Sequence, residues 1–174
     1  MKIASWNVNS LKVRLPQVLD WINLNQPDVL CLQETKQNND NFPHDVFEKR
    51  GLFSYHNGQN TYNGVAIISN KELIDVQFDI PNFYDEQKRL ISGIYPNDED
   101  PKFRVISAYI PNGQSLNSDK FEYKMNWLKS FISSLQKKID GVENIITGDF
   151  NIAPTTLDCY DSKSWDGKIL VSPQ

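Results

Sequence analysis

Cysteine and histidine each occur only twice in the 174 residues, and both scarcities narrow the chemistry. Cys31 lies in an apolar run and Cys159 in a polar one, so they read as reduced thiols and not as a disulfide framework. His44 and His56 both fall in a polar stretch and read as surface residues. The chain also lacks basic excess: 18 Lys and Arg stand against 22 Asp and Glu, a net charge of −4, which argues against nucleic-acid binding through bulk positive charge. A nuclease stays open, because acidic metal ligands lower the formal charge and a bound cation restores it locally. There is no apolar run of membrane-spanning length, and Met1-Lys2-Ile3-Ala4-Ser5-Trp6 has no signal-peptide architecture. A soluble cytoplasmic protein is expected, with no membrane partner. Repeats, low-complexity tracts and linkers are absent too, and 39% hydrophobic residues suffice for one domain, 1–174, with a buried core.

What is present is an alternation of strands and helices. Residues 2–8 read as a strand with Ile3, Ser5 and Asn7 on one face and Ala4, Trp6 and Val8 on the other. A helix is expected over 14–25, with Leu15, Leu19 and Ile22 at helical spacing, Pro16 in its first turn and Pro27 as its stop. Residues 28–34 are almost wholly apolar, as in a strand covered on both faces, and end in Glu34. The stretch 37–60 is polar and stays unassigned apart from a short helix near 43–50. Strands follow at 64–69, 74–80, 89–95 and 103–109, with an acidic loop from Pro96 to Pro101 and a mixed or antiparallel pattern. The clearest helix spans 119–139, its core stripe being Phe121, Met125, Leu128, Ile132, Leu135 and Ile139, with Lys120, Lys124, Lys129, Lys137 and Lys138 on a solvated face.

A strand at 144–148 closes the pattern and runs into Gly148-Asp149-Phe150-Asn151. Strand alternation projects Asp149 and Asn151 the same way and returns Phe150 to the core. Four expected strand ends thus carry polar groups of compatible type: Asn7, Glu34, Tyr109, and the pair Asp149 and Asn151. Each has a plain structural reading, as turn residue, solvated terminus, helix cap or half-buried aromatic. Together they suggest a site where strand ends converge. If Glu34 and Asp149 meet, two carboxylates about 4 Å apart repel by roughly 4 kcal/mol at an effective dielectric of about 20, so one takes up a proton or a cation intervenes. Two carboxylates and two amides suit Mg2+, with Tyr109 as a hydrogen-bond donor to a phosphate, and this points to phosphodiester hydrolysis.

Six motifs, in order along nearly the whole chain, resemble the exonuclease III family, the abasic-site endonuclease branch of the endonuclease/exonuclease/phosphatase superfamily. They are Trp6-Asn7-Val8-Asn9, Gln33-Glu34-Thr35-Lys36 preceded by Gln26-Pro27-Asp28-Val29, Tyr62-Asn63-Gly64-Val65-Ala66, Gln87-Lys88-Arg89, Tyr109-Ile110-Pro111-Asn112-Gly113, and Gly148-Asp149-Phe150-Asn151-Ile152-Ala153-Pro154. The resemblance implies a four-layer αββα sandwich of the deoxyribonuclease I type, Mg2+ or Mn2+ as cofactor, and duplex DNA with abasic sites or 3′ ends as substrate. It implies Glu34 as a metal ligand, Asn7 as a residue of the metal site, Tyr109 at the scissile phosphate or leaving group, Asp149 at the attacking water, and Asn151 positioning phosphate and metal. Lys36, Arg89 and Asn112 would contact DNA.

The family's chains are longer. Beyond the region matching Trp165 to Pro173 they carry an Asp, and then a Ser-Asp-His motif that completes their active site. The resemblance therefore implies an N-terminal two-thirds with an incomplete second sheet, weak or absent activity alone, and self-association or a complementing C-terminal segment. Two other readings stay open: a catalytically impaired subunit that retains metal or DNA binding, and a superfamily phosphodiesterase acting on RNA or phospholipid.

Overall fold

The computed structural model describes residues 1–96, 102–137 and 139–171. The core of the loop expected from Pro96 to Pro101, together with Lys138 and Ser172-Pro173, lies outside the described residues. Among the described residues eight strands form two sheets: β1 (Ile3–Asn7), β2 (Val29–Gln33), β3 (Phe53–Asn57), β4 (Val65–Ser69), β5 (Ile74–Phe78), β6 (Leu90–Tyr95), β7 (Lys102–Tyr109) and β8 (Val142–Asp149). The first sheet has the order β1-β2-β4-β3 and the second β5-β6-β7-β8. In each, one outer pair is parallel, β1 with β2 and β7 with β8, and the remaining pairs are antiparallel.

Period-two alternation explains the layers. Along β2, Leu30 and Leu32 face α1 (Leu11–Asn25) in a cluster with Val18, Ile22 and Ala66, while Val29 and Cys31 face the other sheet in a cluster with Ile67, Ile91 and Val105. Along β7, Ile106 and Ala108 turn outward onto Trp127 and Phe131 of α3 (Asp119–Leu135). The result is the expected αββα order, helix on sheet on sheet on helix, with β1 across from β8 and β2 across from β7. Among the described residues there are also two short α-helices, α2 (His44–Glu48) and α4 (Ser162–Trp165), and two 3-10 turns, Asn39–Asn41 and Thr156–Asp158.

Several expectations are corrected. The first helix begins at Leu11, so Pro16 lies inside it and not in its first turn. Its start is set by the carbonyls of Glu34 and Thr35, which accept from the N–H groups of Ser10 and Leu11 at 2.7 and 3.1 Å. β3, in the unassigned stretch, pairs antiparallel with β4; its Phe-Ser-Tyr-His-Asn sequence carries too little alternation to announce a strand. The third helix ends at Leu135, and its buried face is rotated from the expected stripe. Trp127 and Phe131 are buried while Ile132 is 55% exposed, because two aromatic rings remove more apolar surface than the aliphatic stripe beside them.

β8, the outer strand of the second sheet, is only partly covered. Ile146 stays 37% exposed, since it pairs with Ile106 but lies beyond the cluster under α3. Phe150 is 41% exposed instead of returning to the core. The strand ends at Asp149, and Asn151 adopts a left-handed φ of 48°, so strand alternation no longer governs Phe150.

Candidate active site

Asn7 and Gln33 are register partners at the ends of β1 and β2, and Tyr109 and Asp149 are partners at the ends of β7 and β8. Since each pair is parallel and β1 lies across from β8, all four ends reach the same edge of the sandwich. There the Asn7 amide nitrogen donates to Glu34 Oε1 and to Asp149 Oδ2, 2.8 Å in each case. The two carboxylates thus converge on one amide group.

The surroundings hold Glu34 ionised. Burial pulls its carboxyl upward, but hydrogen bonds from Asn7, Lys36 and Tyr109 and the charge of Lys36 outweigh this and set it below the ordinary carboxylate value. Lys36 Nζ lies 3.0 Å from Glu34 Oε2 and also reaches Asn9 Oδ1. Tyr109 is pushed up to about 12, first by burial and then by the charge of Glu34, so its hydroxyl keeps its proton. The Arg89 guanidinium stacks 4.9 Å from the Tyr109 ring and donates to the Tyr109 carbonyl at 3.2 Å.

The loop carrying Glu34 is strained and pinned. Glu34 and Lys36 have φ of 53° and 54°, uncommon for side chains of their kind. Between them Thr35 is fully buried: its N–H donates to the Gly64 carbonyl at 3.2 Å, and its hydroxyl lies 2.8 Å from His56 Nε2. His56 is therefore no surface residue. It is 6% exposed, stacked on Phe42 at 4.1 Å, and pushed down to about 3 by burial. His44 is exposed, as expected, and bonded to Ser54.

Asn151 sits somewhat apart from the amide-bridged trio. It lines one cavity of about 530 Å³ with Asn7 and Asp149, but its side-chain nitrogen donates to the Ile110 carbonyl at 3.0 Å and its oxygen accepts from Asn112 at 3.2 Å. Arg89 and Asn112 line a neighbouring groove of about 600 Å³ with Tyr62, Lys120 and Tyr123. Two participants escaped the sequence reading. Gln33, 1% exposed in an apolar strand, donates to Ser5 and Ser107 and joins the two sheets beneath the site. Lys124, expected in solvent, is 3% exposed and reaches the carbonyl of Asn151 at 2.7 Å. A polar residue inside an apolar strand was a visible signal for the first; one lysine among several on a helix gave none for the second.

The donor set at the centre is carboxylate and amide only, and among the described residues no cluster of three or more His, Cys, Asp and Glu side chains surrounds it. Mg2+ is commonly held by one or two carboxylates with water completing the shell, so these residues fit a hard divalent cation and not a thiolate-seeking one.

A family described as the endonuclease/exonuclease/phosphatase family matches residues 4–169 of the chain. The exodeoxyribonuclease III of Haemophilus influenzae is 35% identical over 164 residues, which cover 91% of this chain and 60% of that protein. A 3′ phosphatase, NExo, from Neisseria, solved bound to a product DNA hairpin, is similar with a TM-score of 0.90 and 42% identity, covering 99% of this chain and 66% of that one. An AP endonuclease from Archaeoglobus fulgidus gives a TM-score of 0.91 at 35% identity, covering 98% and 65%. The chain thus spans 60 to 66% of the length of these relatives.

Proposed function

Because the chain belongs to the endonuclease/exonuclease/phosphatase family, we propose that its site serves a Mg2+-dependent phosphodiesterase of DNA repair, acting on abasic sites and 3′ ends of duplex DNA. One observation carries the reading: Asn7 joins Glu34 and Asp149 from opposite sheets, with a protonated Tyr109 beside them. The names of the similar proteins, an exodeoxyribonuclease, a DNA-bound 3′ phosphatase and an AP endonuclease, support DNA as the substrate class.

Glu34 and Asp149 would hold the cation, with Asn7 fixing their separation and Asn151 lining the same cavity. When bound, Mg2+ or Mn2+ supplies Lewis-acid polarisation of a phosphoryl oxygen and neutralises charge on the departing one. The chain's own residues do the rest. Asp149 accepts a hydrogen bond from the attacking water and orients it toward phosphorus. Tyr109 keeps its proton in the neutral range and donates a hydrogen bond to a phosphate oxygen, while Arg89 behind its ring adds positive charge. Lys36, Arg89 and Asn112 face the DNA, the last two from the groove that also presents Tyr62 and Lys120. Two free cysteines suit the cytoplasm, and among the described residues no helix is long and apolar enough to cross a membrane.

A second reading, a chain that keeps metal and DNA binding with little turnover, draws on the histidines. Among the described residues neither reaches the carboxylates: His44 is bonded to Ser54 and His56 to Thr35.

The test is a substrate panel in Mg2+: a duplex with one abasic site, a duplex with a recessed 3′ end, an RNA duplex end and a phosphoinositide. Cleavage of the two DNA substrates alone is expected. Binding of the abasic duplex without cleavage favours the second reading, and faster cleavage of RNA or lipid overturns the DNA assignment.

A further inference from the structure

Lys124 is turned inward from α3, 3% exposed, while Lys120 and Lys129 on the same helix are exposed. A lysine ammonium is compact and strongly hydrated, and it is seldom buried without a partner. Among the described residues no carboxylate forms an ion pair with it. It donates instead to two main-chain carbonyls, Asn151 at 2.7 Å and Asn112 at 3.4 Å.

Those carbonyls belong to different segments. Asn112 follows Tyr109 at the end of β7, and Asn151 follows Asp149 at the end of β8. Neither carbonyl is satisfied by a strand ladder, and an ammonium with three donors can serve both. The same two segments meet side chain to side chain, Asn112 donating to Asn151 at 3.2 Å and Asn151 to the Ile110 carbonyl at 3.0 Å. The N–H of Asn151 donates to Asp149 Oδ1 at 3.1 Å. Every polar group of this left-handed residue is therefore committed, and one of its partners is a buried cation from the outer helix layer. Gly113 closes over the lysine stem: it has φ +86°, and a Cβ there would stand 3.0 Å from Lys124 Cδ.

We propose that Lys124 is a positioning residue, a clamp that ties the segment after Tyr109 to the segment after Asp149 and so holds Asp149 and Asn151 at the site. Its consequence for turnover rests on the phosphodiesterase reading; the clamp itself does not. Lys124→Met keeps the stem and removes all three donors. Without them the two carbonyls lose their common partner, and both segments open more often while the sheets keep their own ladders.

The test is hydrogen–deuterium exchange, read by mass spectrometry, on the full 174-residue chain without metal. Peptides covering 109–114 and 149–153 should both exchange roughly tenfold faster or more in Lys124→Met, with β2 and β4 as protected as in the unmodified chain. Unchanged exchange in either segment overturns the clamp, and so does a uniform loss of protection across both sheets. Should the variant not fold, 15N-lysine NMR of the unmodified chain decides. A slowly exchanging Lys124 ammonium signal coupled to the Asn151 carbonyl is expected, and its absence at neutral pH overturns the proposal. A chain that cleaves no substrate fails the phosphodiesterase reading, and the exchange result still decides the clamp.

Discussion

The side-chain amide of Asn7 donates to Asp149, a residue 142 positions later, at 2.8 Å. One residue ends the first strand of one sheet and the other ends the last strand of the opposite sheet, so this bond closes the sandwich at the edge that carries the candidate site. The same amide serves Glu34. Asn7→Leu keeps the volume and removes the donor, leaving two carboxylates to face each other. A loss of about 1–3 kcal/mol is expected in urea unfolding with chelator present. Millimolar Mg2+ should stabilise the unmodified chain by more than the variant, and no Mg2+-dependent gain in either would show that no cation meets these carboxylates.

Buried neutral histidine makes stability depend on pH. His56 is pushed down to about 3 in the folded chain, against 6.5 when free, so between those values the unfolded chain binds more protons. Stability from this residue is full above pH 6.5 and falls as pH drops, by about 1.4 kcal/mol per pH unit within the window. The carboxyl of Glu34 adds to the fall only further down, as pH drops through its lowered folded value. Urea unfolding from pH 7 to pH 5 measures the His56 contribution, and His56→Gln should flatten that segment of the profile.

Gly148 has no room for a side chain. Its φ is +147°, and a Cβ would stand 1.9 Å from the carbonyl oxygen of Ala108, its register partner on β7. Gly148→Ala must therefore part β8 from β7 just before Asp149. A loss of at least about 2 kcal/mol is expected by calorimetry or denaturant melts, together with weaker Mn2+ binding.

The two thiols should behave differently. Cys31 is buried between the sheets and its thiol is pushed up to about 12 by burial, whereas Cys159 is partly exposed. A disulfide reagent at pH 8 should titrate one thiol in the native chain and the second only on unfolding. Two equivalents without denaturant would mean that the inter-sheet core opens.

The sequence shows the parts of this structure that follow from alternation. β2 is buried at every position because its run of apolar residues serves both the helix layer and the opposite sheet. The site was legible for the same reason: Asn7, Glu34, Tyr109 and Asp149 stand at strand ends, and parallel outer pairs bring such ends to one edge. What stayed hidden depends on neighbours distant in sequence. His56 looks polar and surface-bound until Phe42 stacks on it and Thr35 meets its ring. Lys124 looks solvated until Trp127 and Phe131 choose which face of α3 goes inward. Asn151 reads as a partner of Asp149 by alternation, yet its left-handed turn sends its amide toward Ile110.

The most direct measurement is incision of a labelled duplex carrying one abasic site, by the chain and by an identically prepared Asp149→Ala variant, in Mg2+ and in chelator. Metal-dependent incision that falls at least about 100-fold in the variant is the result predicted for a carboxylate acting on the attacking water. Equal rates from both proteins, with or without metal, would contradict the assignment of Glu34, Asn7 and Asp149 as a phosphodiesterase centre.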